Sequence, residues 1–314
     1  MTTTTDPPGS DRYVLPVGFD LQGHRGARGL KPENTLPGFE MALDLMVTTL
    51  EFDLHLTADG EIVVWHDPVV DASKCGLRPS APADVPDPDD DGVSNDALAV
   101  RALTAEQLSW YQCDRNPDPG RFPIQDASPT PLAGSLYSIV TLDSLIDFVE
   151  LYASDGSKSD DQRLAASGVR FNMETKRKST NPEAIGDTFD GETPGLFESR
   201  VLEIIEDRDI ADRTTIQSFD IDSLRAIRSV DPAIPLAFLE SRSAVGFEDL
   251  ASWGITEWSP NLDLATEQRV SEAHSTGLGV KPWTIVSADQ AVVLIDAGVD
   301  GLITDRPDLF SVGP

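Results

Sequence analysis

The sequence predicts an α/β fold of the TIM (β/α)8 barrel type, with an irregular insertion after the second strand region. Three observations carry this. Extended and helical segments take turns along most of the chain, and repeated strand-helix alternation implies a parallel sheet, because each crossover needs a helix. The extended segments that precede helices number eight, which favours a closed ring over an open or doubly wound sheet. Polar residues collect at the carboxyl ends of those segments, where such barrels hold their chemistry. A single domain over 1–314, with the insertion at 67–136, accounts for the 314 residues.

The first unit is VGFDLQGHR, a short apolar run ending in polar residues, followed by NTLPGFEMALDLM with Phe39, Leu43 and Met46 at helical spacing. TTLEFDLHLT has a period of two, with Leu50, Phe52, Leu54 and Leu56 on one side and Glu51, Asp53 and His55 on the other. After the turn signal Ala58-Asp59-Gly60, EIVVWHD is a second extended segment. From 67 to 136 the pattern dissolves into Pro, Asp, Gly and Ser, and only LTAEQLSWYQC reads as helix. Alternation then resumes with helix TLDSLIDFVELY, strand VRFNMETK, helix GLFESRVLEIIEDR, strand TTIQSF, helix IDSLRAIRSV and strand IPLAFLE. GITEWSP, helical LATEQRVSEAHSTG, GLGVKPWTI, helical SADQAVVLIDAG and DGLITD complete it.

Acidic residues outnumber basic ones by 54 to 24, giving a net charge of −30. That field opposes nucleic acid and anionic membranes as partners. No apolar run approaches the roughly 20 residues of a membrane span. The start, MTTTTDPPGSDRY, has neither a basic n-region nor an apolar h-region, so the protein is cytoplasmic or its signal has been removed. Cys75 and Cys113, the only cysteines, fall in the irregular stretch. A bridge would tie that excursion down and favour an exported or periplasmic protein; two free thiols are the alternative.

Glu51, Asp53 and Glu174 project from two strands expected to be neighbours, and Glu51 and Asp53 share a face. Converging carboxylates repel unless a cation joins them, and oxygen-only ligands select Mg²⁺ or Ca²⁺ over zinc. His24 and His66 each end an extended segment beside a polar neighbour, and two imidazoles can divide the work of base and acid. His55 is read as a wall residue of the site, and His274 as surface.

The block HRGARGLKPENTLPGFEMALDLMVTTLEFDLHLTADGEIVVWHDP resembles the signature of the glycerophosphodiester phosphodiesterases, with H-R-G, P-E-N-T, E-x-D, T-x-D-G and H-D at the family's spacing. FNMETK is similar to its later N-x-E-x-K segment, and PWTI and GVDGLITDRPDLF to its closing strands. The resemblance implies one divalent cation on Glu51, Asp53 and Glu174, with His24 and His66 as the acid-base pair. It further implies Arg25 and Lys176 on the phosphate of a small glycerophosphodiester, and Trp283 beside its alcohol or glycerol part. One departure is WTIVS, where the family usually has Asn after the apolar residue.

Within the insertion, Asp87, Asp89 and Asp91 precede Gly92 like the front of a calcium loop, but Leu98 stands where the bidentate Glu belongs. The choice there is a weak second Ca²⁺ site or a solvated acidic loop. Rival readings of the whole chain are a related barrel phosphodiesterase acting on lysophospholipids, in the manner of a lysophospholipase D, or on phosphoinositides, and a barrel that binds ligands without catalysis.

Overall fold

A computed structural model of the chain describes residues 12–242 and 245–312; the signal reading of the first eleven residues lies outside them. Eight parallel strands form the central sheet: β1 (Asp20–His24), β2 (Thr49–Leu56), β3 (Arg170–Thr175), β4 (Thr214–Ser218), β5 (Leu236–Glu240), β6 (Glu257–Pro260), β7 (Gly279–Val280) and β8 (Gly301–Thr304). Each pairs with the next in chain order up to β7, and β8 pairs with β1. Between β7 and β8 the regular ladder gives way to single hydrogen bonds. Asp300 N donates to Val280 O at 2.9 Å, Ile303 N to Pro282 O at 3.0 Å and Ile285 N to Ile303 O at 3.0 Å, and these bring the ring together. Pro282 has no N–H to give a ladder, so GLGVKPWTI is regular over two residues only.

The helices are α1 (Leu36–Asp44), α2 (Ala105–Ser109), α3 (Leu142–Ser154), α4 (Asp160–Ser167), α5 (Leu196–Asp207), α6 (Ile221–Val230), α7 (Phe247–Ser252), α8 (Glu267–Ser275) and α9 (Ala288–Asp296). The apolar side of β2 faces this layer, with Phe52 edge-on to Phe39 of α1 at 5.9 Å and to Phe171 at 6.2 Å. Three elements differ from the sequence expectation, one of them α7, a short helix between IPLAFLE and GITEWSP where none is expected. α4 has no apolar stripe to betray it, since only Ala166 is buried, and it is held by a Ser159/Gln162 capping box. EIVVWHD is not a barrel strand: Ile62–Val64 turns back antiparallel on β2 and pairs with Val140–Thr141.

The segment 67–136 has an apolar cluster of its own, in which Trp65, Val70, Val100, Leu108 and Tyr111 surround Cys75 and Cys113. Those two cysteines are disulfide-bonded, beside an antiparallel pair of two-residue strands, Gly76–Leu77 with Tyr111–Gln112.

Candidate active site

Register decides which side chains meet. His24 pairs with Glu51 across β1 and β2, Asp53 with Glu174 across β2 and β3, and Glu174 with Gln217 across β3 and β4. Partners in a parallel ladder point to the same face. One oxygen each of Glu51, Asp53 and Glu174 therefore lies within 4.8 Å of the others, all buried, at the carboxyl end of the ring.

Such crowding shows in the acidities. Burial, then Asp53 and Glu174, push Glu51 well above the usual carboxylate range. Burial also raises Glu174, only partly opposed by Lys176. For Asp53 burial acts upward as well, but Arg25 and Lys176 hold it well below its ordinary value. Lys176 Nζ sits 2.6 Å from Glu174 and 3.3 Å from Asp53, and Arg25 Nε lies 3.0 Å from Asp53. The three acids thus exceed the cations beside them, and their all-oxygen donor set fits a hard divalent ion.

Backbone geometry presents this floor. Arg25 has φ 53° and Asn34 φ 56°, a left-handed region that costs a non-glycine residue energy and clusters at functional sites. The turn at Arg25 lets its N–H donate to Glu51 Oε2 at 2.9 Å, while Asn34 Nδ2 donates to Asp53 Oδ2 at 2.8 Å. From below, Gln217 Nε2 donates to Glu51 Oε1 at 2.7 Å and is itself held by Asn172 at 3.2 Å, so the ligand set has a fixed hydrogen-bonded support.

Both strand-end histidines are held at Nδ1. His24 bonds Asp305 Oδ1 at 2.5 Å, and its Nε2 lies 4.0 Å from Glu51. His66 bonds Asp67 Oδ1 at 2.6 Å, and Asp67 in turn pairs with Lys74. Burial lowers both rings; for His24 the attraction of Asp305 only partly offsets this, and for His66 burial and Arg25 bring it to about 4. His24, His66, Arg25, Lys176 and Trp283 line one cavity of about 280 Å³ together with Glu51 and Glu174, and Asp53 lies beneath. Trp283 donates from Nε1 to Ser259 O at 2.9 Å and meets Phe219 edge-on at 5.6 Å.

His55 is a buried wall residue whose Nε2 is 3.2 Å from the carbonyl of His66, and His274 is an exposed helix residue paired with Asp300. Val286 is 41% exposed. The acidic loop does not gather: among the described residues the acid clusters close enough for an ion are the trio above and Glu33, His66 and Asp67. Asp89 is taken by Arg115 through both carboxylate oxygens, at 2.7 Å each, so Asp87, Asp89 and Asp91 do not form the calcium site considered from sequence. In the second cluster, Glu33 is surrounded by Arg25, Arg28 and Lys74, which supply the positive charge an ion would bring.

Gln217 stands among the polar strand-end residues that the sequence singles out, and Asp67 is the polar neighbour of His66; sequence reasoning missed Asp305 and Glu33 as parts of this site. Asp305 follows β8 directly, so the signal that singled out His24, a polar residue at a strand's carboxyl end, applied to it equally. Arg121, from the insertion, reaches Asp305 Oδ2 at 3.1 Å and carried no such signal.

Known proteins resemble this chain over most of its length. The model of the glycerophosphoryl diester phosphodiesterase family matches residues 24–309. A glycerophosphodiester phosphodiesterase of Bacillus subtilis is 24% identical over 99% of this chain and 91% of its own. A Silicibacter pomeroyi structure, provisionally named for the same activity, superposes with a TM-score of 0.72 at 25% identity over 96% of this chain and 93% of its own. An Oleispira antarctica phosphodiesterase solved with its product sn-glycerol-3-phosphate superposes with a TM-score of 0.64 at 19% identity, covering 92% of this chain and 94% of that one.

Proposed function

Because the chain belongs to the glycerophosphoryl diester phosphodiesterase family and is a phosphodiester hydrolase, we propose that it cleaves small glycerophosphodiesters to glycerol 3-phosphate and an alcohol. The carrying observation is that two histidines, each oriented by its own aspartate, line one cavity with three crowded carboxylates. The chain works as one barrel domain interrupted at 67–136. Glu51, Asp53 and Glu174 hold one divalent cation, Mg²⁺ or Ca²⁺. When bound, that ion neutralises charge on the phosphoryl group and makes the adjacent glycerol hydroxyl more acidic.

Arg25 and Lys176 bind the phosphate oxygens and orient the diester. His24 takes the proton of the neighbouring glycerol hydroxyl at Nε2, since Nδ1 is held by Asp305. The hydroxyl oxygen attacks phosphorus and the bond from phosphorus to the departing alcohol breaks. His66 gives that alcohol its proton. The diester's negative charge, arriving beside the ring, favours the protonated form that this role requires. Water then opens the cyclic phosphate with the two roles exchanged, so that one water is consumed per diester.

Arg28, Arg121 and Lys178 line the cavity beside Phe219, Leu239, Trp283 and Ile303, and those added cations favour a soluble diester over a lysophospholipid. The Cys75–Cys113 disulfide supports an oxidising compartment outside the cytoplasm. No helix among the described residues is long and apolar enough to cross a membrane.

The test is incubation with glycerophosphocholine, glycerophosphoethanolamine, a lysophospholipid and bis(p-nitrophenyl) phosphate, with and without chelator, followed by detection of the released alcohol. Turnover of the soluble glycerophosphodiesters that chelator stops supports the proposal. No turnover of any diester with added Mg²⁺ or Ca²⁺ refutes it.

A further inference from the structure

We infer that the diester taken by this cavity carries a second negative charge on its alcohol half, and that Arg121 and Lys178 at the rim receive it. The inference rests on the hydrolase reading above and names the substrate class within it.

On a chain of net charge −30, the cavity is lined by Arg25, Arg28, Arg121, Lys176 and Lys178, with Glu51 and Glu174 as its lining carboxylates. Three of those cations are balanced within the floor. Arg25 pairs with Asp53 and Glu33, Lys176 with Glu174 and Asp53, and Arg28 with Glu33 at 2.5 Å. Arg121 and Lys178 are different. Arg121 touches Asp305 through one nitrogen, with 45% of its side chain exposed. Lys178 is exposed, and among the described residues no carboxylate pairs with it. A monoanionic diester already has Arg25, Lys176 and a cation at its phosphate, so two further charges at the mouth exceed what it needs.

The aromatic rings point the same way. A quaternary ammonium or other cationic alcohol is held by open aromatic faces or by carboxylates. Of the two aromatic rings lining the cavity, Phe219 has Lys178 Nζ 5.9 Å from its centroid. At Phe219 the protein's own ammonium occupies the position a cationic head group would take, and would repel it. An alcohol bearing a carboxylate or a phosphate meets the ammonium of Lys178 and the exposed part of Arg121 instead.

The test compares kcat/KM within two matched pairs, with Mg²⁺ present. Glycerophosphoserine and glycerophosphoethanolamine differ by one carboxylate; glycerophosphoinositol phosphate and glycerophosphoinositol differ by one phosphate. The expected result is a preference of roughly tenfold for the more anionic member, the scale of one or two solvent-screened charge contacts. It should shrink toward unity in Lys178→Gln combined with Arg121→Gln. Reading the ratio cancels any general effect of Arg121 on His24 through Asp305. Preference in only one pair supports the inference and identifies which anion is bound. Equal or reversed rates in both pairs overturn it while leaving the hydrolase reading intact, and so does a preference the double variant does not change. Failure to hydrolyse any diester removes that reading, and the inference with it.

Discussion

Asp305 Oδ1 lies 2.5 Å from His24 Nδ1, across 281 residues of sequence and between the first and last strands of the ring. The bond fixes which imidazole nitrogen faces the cavity. Arg121 holds the other oxygen of the same carboxylate, so the insertion also bears on this histidine. Replacing Asp305 with Asn keeps the shape but allows the opposite tautomer. It should lower kcat by on the order of 10²-fold or more, with little change in KM and with native circular dichroism. A wild-type rate in Asp305→Asn would remove Asp305 as a positioning residue.

His66→Ala should reduce kcat by roughly 10² to 10⁴ while the protein remains folded, because the side chain is partly exposed and its loss opens no large core void. Substrates whose leaving alcohol is unusually acidic need less protonation. A p-nitrophenyl diester should therefore retain much more activity in this variant than a glycerophosphodiester does. Equal losses on both would argue against His66 as the acid.

The crowded carboxylates predict that metal stabilises the fold. Addition of Mg²⁺ or Ca²⁺ to chelator-treated protein should raise Tm, since binding to the native state alone stabilises it. Glu51→Gln should weaken that response, with the ion bound at least about tenfold less tightly. The metal-free variant should nonetheless be at least as stable as the metal-free wild type, because burial and the neighbouring Asp53 and Glu174 disfavour charge on Glu51. A metal-free Glu51→Gln protein that melts well below wild type would contradict the electrostatic account.

Much of this site was visible in the sequence because its residues obey the rule that made the barrel visible. Glu51, Asp53, His24 and Glu174 lie on strands, and a period of two with eightfold alternation places them at the mouth on neighbouring strands. The parts not visible depend on loops or on long-range closure. Lys74 and Arg121 reach the site from an irregular segment whose path is set by a disulfide and a small satellite core, and neither leaves a periodic trace. The Ile62–Val64 hairpin and α4 show a related limit. A buried apolar run does not say which strand it will join, and a short polar helix depends on capping rather than on a stripe.

Acid should act on stability through His55 before the ordinary carboxylates titrate. His55 is buried and its pKa is lowered to about 4 by burial, against about 6.5 in an unfolded chain. Between those values the unfolded state binds the extra proton, so stability is full above pH about 6.5 and falls as pH drops toward 4. His24 and His66 act in the same direction. The depressed acids Asp20, Glu33 and Asp67 lose their contributions only below the unfolded carboxylate values, near about 4. Glu51 and Glu174, whose carboxyls are pushed up, act in the opposite direction over the same interval, so the contribution of His55 is read by difference. Between pH 6.5 and 4.5 the Tm of the wild type should fall relative to that of His55→Gln; identical slopes would refute the assignment.

Reduction of the disulfide should act on stability and on chemistry together. Cys75 and Cys113 close a loop of 38 residues, and chain-entropy arguments put the stabilisation from such a cross-link at roughly 4 kcal/mol. Cys75 also follows Lys74, whose ammonium bridges Asp67, the partner of His66, and Glu33, the partner of Arg25. Loosening the loop therefore slackens the support of one histidine and one phosphate ligand. Cys75→Ser/Cys113→Ser should melt lower and, at a temperature where it is still folded, show reduced kcat on glycerophosphodiesters. Lys74→Met keeps the disulfide while removing the bridge, and should reproduce the kcat loss without most of the fall in Tm. If Lys74→Met retains full activity while the double serine variant loses it, the insertion influences catalysis by some route other than Lys74.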